Sequence, residues 1–412
     1  MTEIAVTGLG CITPCGLTVE DFWAALVGGR SGVRTITRFD TSAYQVHIAG
    51  EVPDFDPTAY GLSAKEARRL DRFVQFSIAA SREALAQARL PTEAVNPERV
   101  GLAIGTAIGG ICSTEREMDV LRKRGASRVS PVLVPSGTAD VPATQIALQY
   151  GFKGPSFAIS TACSSGTDAI IAAVRCLLDG SADVMVAGGA ESPISELSLA
   201  TFANLGALSR APGDPTQVCR PFDKNRTGFV LAEGAGLLVL ETRAHAEARG
   251  APALAILCGY GQTTDAYHKT APDPSGDGPA RAMTLAMRSA GVAPDEIGYV
   301  NAHGTSTPQN DPLETLAIKM ALGPHACRVH VSSTKSMTGH LIGAGGAVEA
   351  IATIQALRHQ LLPPTINYET PDPACDLSYV PNQAIQARVS AAISNSLAFG
   401  GHNASLLFRP AD

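Results

Sequence analysis

Short continuous apolar runs alternate along the chain with alanine-rich stretches in which apolar residues recur every three to four positions. The apolar runs predict strands that are buried on both faces of a sheet. The alanine-rich stretches predict helices with one apolar face. The clearest predicted strands are residues 4–8, 156–159, 184–187 and 236–240, and the clearest predicted helices are residues 81–88, 167–178, 280–290 and 346–357. This alternation is typical of the α/β fold class.

The pattern occurs twice. In each part of the chain, an alanine-rich helix is followed by a turn, an apolar strand and a Gly-Thr pair, and a later segment leads into another alanine-rich helix. The matching pairs are residues 95–106 with 292–305, 158–163 with 331–340, and 4–10 with 254–261. We therefore predict a duplicated α/β unit. The boundary is expected near residue 250, which divides the chain into residues 1–250 and 251–412.

Cys163 lies between a predicted strand and a predicted helix, in the segment STACSSG (residues 160–166). The positive end of a helix favours the thiolate form of a cysteine, so this position predicts a nucleophile that is active near neutral pH. A small buried cysteine that only fills the core fits the segment equally well. The segment alone leaves both interpretations open.

Two histidines occupy equivalent places in the second part of the chain. His303 follows a predicted strand in NAHGTSTP (residues 301–308), and His340 ends the loop STKSMTGH (residues 333–340) before a predicted helix. A lone histidine is more often structural than catalytic. Because ligands of α/β proteins bind where strands end at one sheet edge, and the repeat places all three positions there, we expect both histidines to lie near Cys163.

The composition narrows the function classes. The 412 residues are 45% hydrophobic, which allows a large core, and the net charge of −6 provides no basic excess for a nucleic-acid partner. The nine cysteines are scattered and include no CxxC pair, so we expect neither a disulfide framework nor a structural zinc site. With no signal-peptide pattern and no apolar run of about 18 residues, we expect a cytoplasmic protein without a membrane partner.

Four segments, in order, resemble the β-ketoacyl-[acyl carrier protein] synthases, and most closely the elongating type II enzymes called KAS II. They are TACSSG (161–166), NAHGTST (301–307), KSMTGH with GAGG (335–340 and 343–346), and FGGHN (399–403). The resemblance covers essentially the whole chain. It implies a thiolase-like five-layer αβαβα fold built from the duplicated α/β unit, and a decarboxylative Claisen condensation in fatty acid or polyketide biosynthesis.

The resemblance also implies catalytic roles. Cys163 becomes acylated by an acyl-carrier thioester. His303 and His340, as neutral imidazoles, donate hydrogen bonds to the malonyl thioester oxygen as the enolate forms. Phe399 gates the acyl pocket, and its backbone N–H binds the oxyanion together with that of Cys163. Lys335 has an orienting role near the second histidine.

Lys335 is a charged residue in a loop of small polar residues, and a buried lysine requires charged partners. By the resemblance, its expected partners are Glu349 and Asp311. The alternative interpretation is a solvated loop lysine.

Further positions follow from the resemblance. Two line the acyl pocket, three bind the phosphopantetheine arm of the carrier through hydroxyls, and three basic residues dock the acidic carrier protein. The acyl-pocket residues are Ile108 and Phe202. The residues that bind the phosphopantetheine arm are Thr270, Thr305 and Thr307, and the docking residues are Lys65, Arg68 and Arg69. No cofactor and no catalytic metal are expected. The active form is expected to be a dimer, either a homodimer or a heterodimer with a chain-length factor.

Some positions depart from the family pattern. Gly206 stands where bacterial elongating enzymes carry a basic residue that helps to bind the carrier. Leu397 and Ala398 replace a phenylalanine and a glycine of the gate loop, Ala107 replaces a glycine, and residues 136–139 are unusually small. These departures lead to the hypothesis of a synthase specialised for long, unsaturated or polyketide chains.

Other functions stay open at this point. The chain could be a ketosynthase subunit that is active only with a chain-length factor, or a non-catalytic partner subunit, although the latter should lack Cys163. A degradative thiolase should have a second catalytic cysteine near the C-terminus, but Cys375 lies in the turn PDPACD. A chain-initiating synthase should have asparagine in place of His340.

Overall fold

The computed structural model describes residues 3–93 and 95–411. Within these residues, ten strands form one mixed sheet and four short strands form two separate ribbons. The strands are β1 (Ile4–Ile12), β2 (Arg34–Thr35), β3 (Ile48–Ala49), β4 (Val100–Gly105), β5 (Ser156–Ile159), β6 (Val184–Glu191), β7 (Gly234–Thr242), β8 (Ala255–Thr264), β9 (Ile297–Asn301), β10 (His330–Ser332), β11 (Leu361–Leu362), β12 (Ile385–Gln386), β13 (Ala391–Ala398) and β14 (His402–Arg409).

Helices precede, follow and connect these strands. They are α1 (Val19–Val27), α2 (Ala64–Ala67), α3 (Arg72–Gln87), α4 (Ile111–Arg124), α5 (Val134–Gly137), α6 (Val141–Tyr150), α7 (Ser165–Leu178), α8 (Glu196–Asn204), α9 (Arg243–Ala248), α10 (Asp277–Ala290), α11 (Asn310–Leu322), α12 (Lys335–Thr338) and α13 (Gly345–His359). The observed bounds extend several predicted elements: α3 begins at Arg72 rather than at residue 81, and α7 begins at Ser165 rather than at residue 167.

The strand order repeats in the two halves of the sheet. The order is β5-β4-β6-β7-β1 in the first half and β10-β9-β13-β14-β8 in the second. Numbered along the chain within each half, both orders are 3-2-4-5-1. The halves meet where residues 4–6 of β1 pair with residues 255–257 of β8. The predicted duplication is therefore confirmed.

Three large apolar cores lie between the layers. In β7, Leu238 and Leu240 face a central core that contains α7 and α13, whereas Leu237 and Val239 face an outer core formed with α3 and α6. A third core packs α10 and α11 against the outer face of the second half. The layer order is αβαβα, as predicted. Burial on both faces explains why the strands are continuously apolar.

Paired glycines allow the outer helices to lie against the sheet. A Cβ on Gly8 or Gly10 of β1 would lie 2.1 or 2.0 Å from a backbone carbonyl oxygen of α3. A Cβ on Gly259 or Gly261 of β8 would lie 2.3 or 2.0 Å from one of α10. Any side chain at these four positions would push the helix away from the strand. This steric requirement accounts for the similarity between residues 4–10 and residues 254–261.

Two further features bear on the predictions about membrane spans and disulfides. In the part of the chain that the structure describes, no helix is long and apolar enough to cross a bilayer. All nine cysteines are free thiols.

Candidate active site

A cavity of about 680 Å³ is lined by residues from both halves of the molecule. Nine of the predicted site residues line it. Four residues that depart from the family pattern also line it, namely Ala107, Gly206, Leu397 and Ala398. The nine are Ile108, Cys163, Phe202, Thr270, His303, Thr305, Thr307, His340 and Phe399. The structure thus brings the cysteine and both histidines together at one site.

Cys163 is presented by a strained turn between β5 and α7. The preceding residue, Ala162, has φ +52°, in the left-handed region that non-glycine residues rarely adopt. The Ser165 hydroxyl donates to the Ala162 carbonyl oxygen at 2.6 Å, and the Thr161 N–H donates to the Ser165 hydroxyl at 3.0 Å. Asp168, in the first turn of α7, accepts a hydrogen bond from the Thr161 hydroxyl. These contacts stabilise the strained backbone at the nucleophile.

Burial raises the pKa of the Cys163 thiol to about 11, while the Lys335 charge and the Phe399 N–H lower it in part. Burial thus opposes the thiolate form that the sequence predicts for Cys163. Cys163 is only 8% exposed, and desolvation disfavours the charged form of a buried thiol. For such a buried thiol to act as a nucleophile, its proton must leave the sulfur as the new bond forms.

Lys335 determines the tautomer of His303. Its Nζ lies 3.3 Å from the His303 Nδ1, donates to the His303 carbonyl oxygen at 2.6 Å, and pairs with the Glu349 carboxylate. Because an ammonium group can only donate, Nδ1 accepts and Nε2 carries the proton. Burial, followed by the charge on Lys335 and the proximity of His340, lowers the pKa of His303 well below its usual value. His303 is therefore a neutral imidazole with a donor at Nε2.

The His340 ring is nearly perpendicular to that of His303, with centroids 5.3 Å apart. Its backbone is fixed, because its N–H donates to the Val230 carbonyl at 2.7 Å and its carbonyl accepts from the Ala232 N–H at 2.9 Å. Its Nδ1 is buried next to Gly345, with no hydrogen-bond partner among the described residues. Burial and then the Lys335 charge lower its pKa well below the usual value, so this imidazole is neutral too.

Asp311 does not pair with Lys335. It accepts the Phe222 N–H at 2.8 Å and lies 3.7 Å from the Arg226 guanidinium, which neutralises it. The prediction that Asp311 is a partner of Lys335 is therefore wrong, whereas the ion pair with Glu349 is present. A buried lysine needs one compensating carboxylate, and Glu349 supplies it from α13.

Two buried carboxylates beside the site escaped the sequence-based reasoning. Glu314, in α11, accepts the backbone N–H groups of His303 and Gly304, both at 2.8 Å. Glu191, at the end of β6, accepts several N–H groups of the loop that contains Ile108. The available signal was a glutamate inside an otherwise apolar strand or helix, since such a residue is rarely buried without partners.

Phe399 begins a tight turn at the end of β13. Gly400 and Gly401 have φ of +82° and +75°, which residues with a side chain rarely adopt. The Gly401 carbonyl accepts the Asp265 N–H at 2.9 Å. The Phe399 N–H lies near enough to the Cys163 sulfur to lower the pKa of the thiol, so the turn places a backbone N–H beside the nucleophile.

The remaining cavity wall combines aromatic surface with hydroxyls. Phe202 packs edge-on against Phe229 at 5.7 Å between ring centroids, and Phe229 packs in the same way against His340 at 5.2 Å. The Thr305 and Thr307 hydroxyls are 3.0 Å apart. Such a lining suits a ligand that has both an aliphatic part and polar amide groups.

The predicted docking residues lie outside this cavity. Lys65, Arg68 and Arg69 are exposed, in and just after the short helix α2. Arg72 has a similar spacing but turns inward, and its Nε lies 3.2 Å from the buried Glu233. The helical periodicity suggested by these four basic residues is interrupted, because α2 ends at residue 67 and α3 begins at residue 72.

Comparison with known proteins identifies the family. The models for the N-terminal and C-terminal domains of β-ketoacyl synthases match residues 1–246 and 254–369. The chain belongs to the β-ketoacyl synthase family. The 3-oxoacyl-[acyl-carrier-protein] synthase 2 of Synechocystis is 48% identical over 99% of this synthase and 98% of its own length.

Solved structures agree with this assignment. A type II polyketide acyl carrier protein in complex with its ketosynthase (AntDE:AntF) provides a chain that matches with a TM-score of 0.91 and 35% identity. The ishigamide ketosynthase/chain length factor matches with a TM-score of 0.93 and 36% identity. Both matches cover all of this synthase and all of the other chain. The resemblance that the motifs indicated is confirmed.

Proposed function

We propose that this synthase is an acyltransferase that extends an acyl chain by condensing the acyl group on Cys163 with a malonyl group on acyl carrier protein. The observation that carries the proposal is the single cavity that contains the Cys163 thiol and the neutral imidazoles of His303 and His340. The synthase 2 enzymes with 44–48% identity support it by their names.

In the first step, the Cys163 sulfur attacks the thioester of an acyl carrier protein. A carbon–sulfur bond to Cys163 forms, the phosphopantetheine sulfur leaves, and the proton lost by Cys163 ends on that leaving sulfur. The N–H groups of Cys163 and Phe399 bind the oxyanion, and the Phe399 N–H is close enough to the nucleophile to lower the pKa of its thiol. Donors of this kind typically contribute a factor of about 100 to 1000 in rate.

In the second step, the malonyl group loses its carboxylate as carbon dioxide, and the electron pair of that bond forms an enolate. The Nε2–H of His303 and the imidazole of His340 donate hydrogen bonds to the enolate oxygen. The enolate carbon then attacks the acyl carbonyl, the bond to the Cys163 sulfur breaks, and the thiolate takes up one proton. The products are a β-ketoacyl carrier protein and carbon dioxide, and Lys335 acts by orienting His303.

The binding residues follow the same scheme. The acyl chain lies against Ile108 and Phe202, and the hydroxyls of Thr270, Thr305 and Thr307 bind the phosphopantetheine arm. The basic residues that dock the acidic carrier protein are Lys65, Arg68 and Arg69. Residues 1–250 provide the nucleophile and residues 251–412 provide both histidines.

The acyl preference and the partner subunit are the more specific part of the proposal. The departures from the family pattern support a preference for a long, unsaturated or polyketide chain. Ala107, Gly206 and Ala398 line the cavity, and residues 136–139 are unusually small. The active form is a dimer, with a second copy of this chain or with a chain-length factor. The structural match to a ketosynthase/chain length factor supports the second arrangement.

Intact-protein mass spectrometry tests the proposal. The purified synthase is given acyl carrier proteins of increasing chain length, followed by malonyl carrier protein. Acylation of the wild type and two-carbon extension are expected, while Cys163→Ala acquires no acyl mass and Cys176→Ala, on the same helix but outside the cavity, behaves as the wild type. Extension only after a chain-length factor is added identifies the heterodimer. Absence of acylation under every condition contradicts the proposed function.

A further inference from the structure

Glu191 ends β6, and its side chain is fully buried. Its carboxylate accepts hydrogen bonds from the Thr106 hydroxyl at 3.0 Å and from the backbone N–H groups of Ala107 at 2.6 Å and Gly109 at 3.2 Å. The N–H of Ile108 lies 3.3 Å from the same carboxylate. One side chain thus binds four consecutive residues of the loop that follows β4.

The same carboxylate also binds the turn Ile342–Ala344. The Gly343 N–H donates to it at 3.2 Å. The turn and the loop touch at this point, because a Cβ on Gly343 would lie 2.5 Å from the Ala107 nitrogen. Ile342 of the turn and Ile108 of the loop both line the active-site cavity. Glu191 is therefore a common anchor for two segments that form its aliphatic wall.

The partners of Glu191 among the described residues are four N–H groups and one hydroxyl, with no lysine or arginine. Burial raises its pKa to about 7, although these donors lower it in part. Charged groups without a counter-ion are rare in protein interiors, because burying them is costly. An apolar side chain would be enough to fill the core at this position. The carboxylate does more, because its hydrogen bonds determine where the backbones of two loops lie.

We propose that Glu191 is a positioning residue that sets which acyl chains the cavity accepts, by fixing Ile108 and Ile342 relative to each other. The inference rests on the proposed function, since it takes this wall to be the acyl pocket. When glutamine replaces this residue, one of the two acceptor oxygens becomes an NH2 donor that cannot accept from the N–H groups of residues 107–109, and the loop shifts. A long acyl chain that packs against the wall then loses contacts that a short chain never makes.

The test compares Glu191→Gln with a matched control, Glu83→Gln. Glu83 also accepts two backbone N–H groups, from Cys11 at 3.0 Å and Val19 at 2.8 Å, but none of these residues lines the cavity. The measurement is kcat/KM for acylation of Cys163 by hexanoyl and tetradecanoyl carrier proteins, together with the melting temperature.

For Glu191→Gln, we expect the ratio of tetradecanoyl to hexanoyl kcat/KM to fall by about tenfold, within the range typical of altered contacts in a hydrophobic pocket. The ratio for Glu83→Gln should equal that of the wild type, even if both variants melt at a lower temperature. A ratio for Glu191→Gln within about twofold of the wild type would overturn the inference. If the wild type itself is not acylated, the proposed function fails instead.

A milder pair of variants covers the case in which Glu191→Gln does not fold. Thr106→Val keeps the shape of the side chain but removes the hydroxyl that donates to Glu191 and accepts the Gly109 N–H at 3.2 Å. It should shift the ratio in the same direction by about threefold, the equivalent of one neutral hydrogen bond. Thr106→Ser retains the hydroxyl and should restore the ratio. Equal ratios in both variants would contradict the inference.

Discussion

The loop after β4 in the first half and the loop after β9 in the second half occupy equivalent positions in the repeat, and each carries residues of the cavity wall. In the first, the backbone N–H groups beside Ile108 bind Glu191, from the end of β6. In the second, the N–H groups of His303 and Gly304 bind Glu314, from helix α11. Both carboxylates are buried, but they come from elements that are not equivalent.

This difference shows what the duplication determines and what it leaves free. The shared strand order brings the two loops to one site. The polar residues that stabilise the two loops come from non-equivalent elements and are not part of the repeat. The chemistry also differs. The first half presents a buried thiol, whereas the second half holds the ion pair of Lys335 and Glu349 behind two neutral imidazoles. We therefore expect substitutions in the two halves to affect different steps.

The largest effect is expected from breaking the buried ion pair of the second half. Lys335→Met leaves Glu349 buried without a counter-charge, which typically costs about 3–5 kcal/mol of stability. The double variant Lys335→Met/Glu349→Leu removes both charges and should recover most of that free energy of unfolding. Urea denaturation measures both values. A double variant no more stable than Lys335→Met would show that the ion pair is not what stabilises this region.

The next effect separates the two chemical steps. His303→Ala and His340→Ala should each lower the rate of malonyl decarboxylation by a factor of about 100 to 1000, because one donor to the enolate oxygen is lost. Cys163→Ala should abolish acylation but still decarboxylate malonyl carrier protein. Carbon dioxide release and acyl mass are measured separately for each variant. If Cys163→Ala loses as much decarboxylation as the histidine variants, the two halves do not carry separate chemical steps.

The pH dependence of stability should also depend on the two histidines of the second half. The pKa values of His303 and His340 are lowered in the folded protein, below the value of about 6.5 in the unfolded chain. Their stabilising contribution is therefore present above pH 6.5 and is lost as the pH falls, because the unfolded chain then binds more protons. The double variant His303→Asn/His340→Asn should lose less stability between pH 7 and pH 5 than the wild type. Parallel curves for the two proteins would contradict this.

The smallest effect concerns the surface of the first half. Replacing Lys65, Arg68 and Arg69 by glutamate should raise KM for acyl carrier protein by about tenfold and weaken its salt dependence, since exposed charges act mainly on association. The matched control reverses an equal number of charges on α4, at Arg122, Lys123 and Arg124. Acyl-pantetheine, which lacks the carrier, should react equally with both. Equal KM changes in both variants would mean that the effect is one of net charge.

Much of this arrangement could be predicted because it depends on local patterns. The paired glycines of β1 and β8 and the turn around Cys163 are visible as short motifs, since each reflects a contact along one strand or one strand–helix junction. The errors concern partners that are distant in the chain. Asp311 is near Lys335 in the sequence, but it pairs instead with Arg226, which is much further away along the chain. Such pairings depend on how the layers pack, which the spacing of residues does not encode.

The burial of Cys163 illustrates a second limit. Motif spacing places the sulfur at a helix end, but the degree of burial, which raises its pKa, results from the whole cavity wall. The same holds for Arg72, whose guanidinium contacts a carboxylate 161 residues away. Burial and long-range charge are collective properties of the packed layers.

Residues 345–357 of α13 are buried on every side, between the two halves of the sheet and next to α7. A helix in this position has no surface that could face water, so the central layer belongs to both halves at once. If the polypeptide were nicked in the connection between residues 249 and 254, each fragment would display a wide apolar surface. The fragments would then reassemble or aggregate, and limited proteolysis at this connection would leave two pieces that elute together.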